Sequence, residues 1–174
     1  MKRAGQAAII CLAMLIAAVT FSASDEWAVS ASSCLTPQSG NTYEAKNVMD
    51  GDLNTAWVEG GPGYGQGEYL WLYLTVNYGP GAYFSGFAIN NGYCKSSESW
   101  NENSRVRALA IYINDILVER VVLSDTPDRQ TFTFPTSYYV TKSDVIIFEI
   151  AEVYMGTTYS DTAISELDLF CSVQ

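Results

Sequence analysis

From Tyr69 to Tyr78 (YLWLYLTVNY) the chain alternates: Leu70, Leu72, Leu74 and Val76 fall on one side, and Tyr69, Trp71, Tyr73 and Thr75 on the other. A period of two is what a strand with one buried face requires. Gly79-Pro80-Gly81 ends this run with a turn, and Phe84 to Asn90 reads as the next strand. Val106 to Ile113 and Ile116 to Leu123 flank Asn114-Asp115, a spacing that predicts a tight hairpin. Gln130 to Phe134 is a short strand ending at Pro135, and Val145 to Val153 and Ile164 to Cys171 complete the set. No stretch carries a long helical period. Several short strands with regular turn signals predict an all-β sandwich or barrel. The Gly-rich stretch Gly60 to Gly67 reads as a loop.

The pattern at the N-terminus differs. Lys2 and Arg3 precede an apolar run from Ala7 to Val19, and small residues at Ser22, Ala23 and Ser24 precede Asp25-Glu26. The run is shorter than the ~20 residues that a membrane-spanning helix needs. Residues 1–24 are therefore expected to be a secretory signal peptide and 25–174 one domain, secreted to the exterior or the periplasm, with no transmembrane segment after cleavage. An uncleaved anchor is the alternative reading.

Charge and composition narrow the function. A net charge of −10 argues against nucleic acid and anionic membrane partners. The chain has no histidine, which removes Ser-His-Asp and Cys-His catalysis and ordinary zinc sites. Paired carboxylates could still run a glycosidase, with Glu59, Glu68, Asp161 and Glu166 as the plausible donors. Past the leader the cysteines are Cys34, Cys94 and Cys171. Domain termini often lie close together, so a Cys34–Cys171 disulfide is expected, leaving Cys94 over. A different pairing, or three reduced thiols, are the alternatives.

The sharpest chemistry lies in Asn47 to Trp57 (NVMDGDLNTAW). Two carboxylates around a glycine, with a threonine behind them, can curl about one hard cation, and Glu166 could complete an oxygen shell. A solvated Asp-Gly turn is the plainer reading of the same residues. Asp50-Gly51-Asp52 with Thr55 and Trp57, taken together with Ile164-Ser165-Glu166-Leu167-Asp168-Leu169-Phe170, resembles the discoidin, coagulation-factor C-type and galactose-binding-like domains. That resemblance implies a jelly-roll β-sandwich of about eight antiparallel strands. It also implies a structural Ca2+ ion held by Asn47, Asp50, Asp52, Thr55, Ser165 and Glu166.

A closer resemblance runs through Trp57–Glu68, Asn90–Val106 and Val153–Glu166. Together these segments resemble the glycan-binding domain first known as the translocation domain of a bacterial NAD glycohydrolase toxin. It implies a non-catalytic module that binds host or cell-surface glycans, with no room in the chain for the toxin's enzyme. Cys94 and the pair Cys34 and Cys171 depart from that pattern. Sugar sites join an aromatic face to planar polar groups. The candidate ligand-binding residues are Glu59, Tyr64, Asn91, Tyr93, Lys95, Trp100, Asn103, Arg105, Tyr154, Tyr159 and Asp161. Trp100, in the polar run SSESWNENS, is expected to be an exposed platform whose loss abolishes binding without unfolding. Arg105 paired with Glu59 or Asp161, and Tyr93 or Tyr154 as packing residues, are the structural alternatives. A protein- or lipid-binding adhesion module on the same fold is the other functional reading.

Overall fold

The computed structural model describes residues 26–38, 40–75 and 81–173. The expected signal peptide lies outside the described residues. The elements in order are β1 (Trp27–Ala31), a 3-10 helix (Ala45–Met49), β2 (Trp57–Val58), β3 (Tyr69–Leu74), β4 (Ala82–Asn91), α1 (Ser97–Glu102), β5 (Ser104–Ile113), β6 (Ile116–Val122), β7 (Gln130–Val140), β8 (Ile146–Tyr154) and β9 (Thr162–Ser172).

These strands make two layers. One layer runs β1-β3-β8-β5-β6 and the other β2-β9-β4-β7, and all of these neighbours pair antiparallel. The layers are stitched together where β5 meets β9 in parallel at Ser104↔Thr162 and Arg105↔Ala163. The alternation in β3 is realised: Leu70, Leu72 and Leu74 are buried. They face a core in which Phe87 of β4 meets Phe148 of β8 edge-to-face across the layers, at 5.2 Å between ring centroids. Asn114 and Asp115 take φ values of 50° and 67°, so the β5–β6 hairpin turns as their sequence requires.

The described strands number nine, in keeping with the expected sandwich of about eight; the five-residue β1 and the two-residue β2 carry too little pattern to be seen in sequence. Two readings need revision. β7 does not stop at Pro135. It pairs only with β4, and the register jumps from Gly86↔Thr133 to Phe84↔Tyr138, so the proline sits in a bulge of an edge strand where its missing N–H costs no ladder bond. The Cys34–Cys171 bridge is absent: Cys34, Cys94 and Cys171 are all free thiols. Leu35 N–H bonds Val58 O, and Val58 pairs with Ala163, which places Cys34 at the start of β9. Cys171 lies at the other end, roughly 26 Å of extended strand away, whereas a disulfide needs Cα atoms within about 7 Å.

Candidate functional site

The segments flagged for sugar binding meet at one end of the sandwich, where the β4–β5 and β8–β9 connections lie side by side. Ser96 caps α1 by accepting from Ser99 N–H at 3.0 Å. The last carbonyls of a helix need partners from outside it. Here the β8–β9 connection supplies them: Thr157 N–H bonds Asn101 O, and Thr158 and Tyr159 N–H both bond Glu102 O. Ser104 N–H then bonds Asp161 O. Tyr159 and Asp161 are thereby fixed against α1.

The result is a cleft of about 300 Å³. Four of the candidates line it: Tyr93, Asn103, Tyr159 and Asp161. Tyr93 is buried and meets Tyr43 edge-on, with ring centroids 6.3 Å apart and planes at 86°. Tyr159 is 50% exposed and offers a ring to solvent. Lys95 reaches the rim, where its Nζ donates to Asn41 Oδ1 at 3.3 Å.

Sequence reasoning missed Gln38, Asn41, Tyr43, Ser99 and Glu102, which with the apolar Leu35 and Val58 complete the lining. Ser99 and Glu102 were hidden because the run SSESWNENS read as an open loop, whereas it forms α1. Gln38, Asn41 and Tyr43 stand before the Asp50 loop in a stretch without period. A polar turn bridged by Gln38↔Asn41 carries them to the cleft.

The remaining candidates lie outside the cleft lining. Asn91 is fully buried and joins β4 to β5, donating from Nδ2 to Val106 O at 2.7 Å and accepting from Val106 N–H at 3.0 Å. Glu59 is also fully buried; its oxygens accept from Thr162 N–H and Gly61 N–H, and burial, the leading cause, pushes its carboxyl above the usual range. Tyr154 is half-buried, with its hydroxyl on Leu123 O. Tyr64 is 37% exposed but lies outside the cleft lining.

Trp100 is not the expected open platform. It is half-buried, its Nε1 donates to Asn91 O at 2.8 Å, and Arg105 stacks on its ring. Arg105 pairs with neither Glu59 nor Asp161. It is buried and bidentate with Asp125, Nε to Oδ1 at 2.8 Å and Nη2 to Oδ2 at 3.1 Å. Gly92 is required beneath this stack, since a Cβ there would come within 2.7 Å of the Trp100 ring.

The second expected site forms in part. Asp50 and Glu166 line one pocket and the Asp50 charge acts on the Glu166 carboxyl, so the bend after the 3-10 helix does meet the middle of β9. Thr55 Oγ1 donates to Asp50 Oδ2 at 2.7 Å and to Asp52 O at 2.9 Å. The Asp52 carboxylate turns to Asn54 instead, accepting from its N–H and Nδ2 on Oδ1. Asn47 Nδ2 bonds Thr42 O and Ala56 O, which holds the bend together. Glu166 Oε1 is buried with no partner among the described residues. Burial first, then the Asp50 charge, push the Glu166 carboxyl up to about 7. Two carboxylates in contact call for a proton or a cation between them. Among the described residues no three Cys, Asp or Glu side chains are grouped to hold a metal, so any ion here would depend on neutral oxygens as well.

Comparison with known proteins adds to this geometry. The model of the family described as "NAD glycohydrolase translocation F5/8 type C domain" matches residues 21–170. No curated protein matches the chain. Among solved structures, the family 32 carbohydrate-binding module of C. perfringens NanJ, solved in complex with galactose, superposes with a TM-score of 0.60 at 20% identity, covering 85% of this chain and 96% of that one. The family 32 module of Streptococcus pneumoniae EndoD gives 0.58 at 10% identity, over 83% and 94% of the two chains. A putative chitobiase fragment from Bacteroides thetaiotaomicron gives 0.58 at 14% identity, over 87% and 92%. These likenesses establish the galactose-binding-like, discoidin-type sandwich. Among the described residues no helix is long and apolar enough to cross a membrane.

Proposed function

Because the chain belongs to the NAD glycohydrolase translocation F5/8 type C domain family, we propose that it is a secreted, non-catalytic carbohydrate-binding module that takes glycans in the Tyr93–Tyr159 cleft. The observation that carries this reading is the composition of that cleft. A pyranose ring has an apolar face and a rim of hydroxyls, so it needs one aromatic surface and several planar donors and acceptors. Tyr159 provides the exposed ring, Tyr43 and Tyr93 the wall, and Gln38, Asn41 and Asn103 the amides. The galactose held by the NanJ module supports a sugar as the ligand class.

The absence of histidine and the state of Glu59 support a non-catalytic role. A carboxylate with both oxygens committed to backbone N–H groups inside the protein is a structural brace, and a glycosidase carboxyl must reach its substrate. The apolar stretch from Ala7 to Val19 supports export.

A Ca2+ ion fits the Asp50–Glu166 site chemically. The residues that would hold it are Asp50 and Glu166 through their carboxylates, Thr55 through its hydroxyl and carbonyl, and Asn47 and Ser165 through their carbonyls. Asp52 retains one carboxylate oxygen that Asn54 does not take. Such mixed oxygen donors suit calcium. Bound there, the ion would neutralise the pair and tie the bend to β9. A glycan-array screen of the mature protein, with and without chelator, tests the whole reading. Binding to defined glycans is expected; binding to none would overturn it.

A further inference from the structure

We propose that the cleft selects sugars carrying a protonated amine, the class of galactosamine and glucosamine and their oligomers, over sugars carrying a carboxylate or sulfate. The proposal rests on the carbohydrate reading above and concerns the charge of the ligand. Apart from tyrosines, the ionisable side chains that line the cleft are Glu102 and Asp161, and no basic side chain joins them. Neither carboxylate has a hydrogen bond or ion pair among the described residues. Some other surface carboxylates are paired, Glu44 with Lys46, Glu152 with Arg107 and Arg120, and Asp168 with Arg129; what sets Glu102 and Asp161 apart is that both line the cleft.

The two bases that adjoin the cleft do not offset this. Arg105 is buried beneath it, committed to Asp125 and to the carbonyls of Trp100 and Asn103. Lys95 stands at the rim on Asn41, one cation against two carboxylates. The field of the whole chain, at −10, adds to the same sign. An ammonium on a ring seated against Tyr159 would donate charge-assisted bonds to Glu102 and Asp161, about twice as strong as neutral ones. A uronate, sialate or sulfated sugar would bring a like charge against two unpaired carboxylates, which is a repulsive element as well as a missing attractive one.

The test is calorimetric titration of the intact chain in mildly acidic, low-salt buffer. Galactosamine and glucosamine are compared with their N-acetylated forms, which keep the ring and remove the charge, and with galacturonic acid. The amino sugars are expected to bind about tenfold tighter than the N-acetyl forms, the equivalent of one charge-assisted contact. That ratio should shrink as salt is added, and galacturonic acid should bind weakest. In Glu102→Gln, whose side chain has no partner to lose, the ratio should fall toward one, and it should fall further in Asp161→Asn. Equal affinity for amino and N-acetyl sugars, or a preference for the uronic acid, would overturn the charge selection while leaving the carbohydrate reading intact. No binding of any sugar would overturn both.

Discussion

The Arg105 guanidinium carbon sits 4.3 Å from the centre of the Trp100 ring. This contact makes the tryptophan part of the scaffold. Its indole closes over a buried cation, and its Nε1 bonds Asn91 O. Trp100→Ala is therefore expected to destabilise the domain by about 2–3 kcal/mol, from the lost cation–π contact, the lost hydrogen bond and the uncovered Arg105. Chemical denaturation of the variant checks this. A stability equal to wild type would remove the stack from the account.

Calcium should raise the melting temperature. An ion present at about a hundred times its dissociation constant adds about 2.7 kcal/mol. For a domain of this size that is on the order of 5–10 °C. A scanning melt with calcium and with chelator measures the difference, and Asp50→Asn should abolish it. Coincident melts of the wild-type protein would mean that no ion binds at Asp50 and Glu166.

Glu59 predicts a pH dependence. Burial raises its carboxyl above the ordinary value of about 4.3, so the fold favours the protonated form. Its contribution is fully present below the ordinary value and is lost as the pH rises through the raised one. Glu59→Gln should flatten this part of the stability curve. The variant should also cost about 1–3 kcal/mol, because an amide offers one acceptor oxygen where Thr162 and Gly61 N–H need two. Denaturation curves at mildly acidic and neutral pH read both effects; an unchanged slope would contradict the assignment.

How far the sequence reaches can be judged residue by residue. The β3 alternation and the Asn114-Asp115 turn are local physics, and both are realised. The Asp50–Glu166 contact was legible from chemistry only as one way to complete an oxygen shell, and resemblance made it an expectation, since nothing in local spacing joins a bend to a distant strand. The cleft was half legible. Tyr93, Asn103, Tyr159 and Asp161 lie in segments flanking strands, where binding groups concentrate. Tyr43 and Glu102 depend on where a turn and a short helix dock. Trp100 misled because a polar neighbourhood in sequence says nothing of an arginine that arrives from β5 below it. The cysteines misled because nearness of termini was taken for nearness of Cys34 and Cys171, which stand at opposite ends of β9.

The thiols supply a further prediction. Cys34 is exposed, Cys94 is half-buried, and burial, with a smaller effect of the Glu26 charge, pushes the Cys171 thiol up to about 12. In the folded protein a maleimide should label Cys34 first and Cys171 only on unfolding. Reducing agent should leave the melting temperature unchanged. Mass spectrometry of the labelled protein reads the order, and a mass showing an internal disulfide would contradict it.

The central claim is that a sugar stacks on Tyr159 and is held from Asp161 and the amides around it. Titration of one array-positive glycan into the wild type and into Tyr159→Ala tests it most directly, because an exposed ring can be removed without disturbing the core. The account predicts at least about a tenfold loss of affinity, the scale of one aromatic contact, with an unchanged melting curve. Full affinity in Tyr159→Ala would place the sugar elsewhere on the molecule.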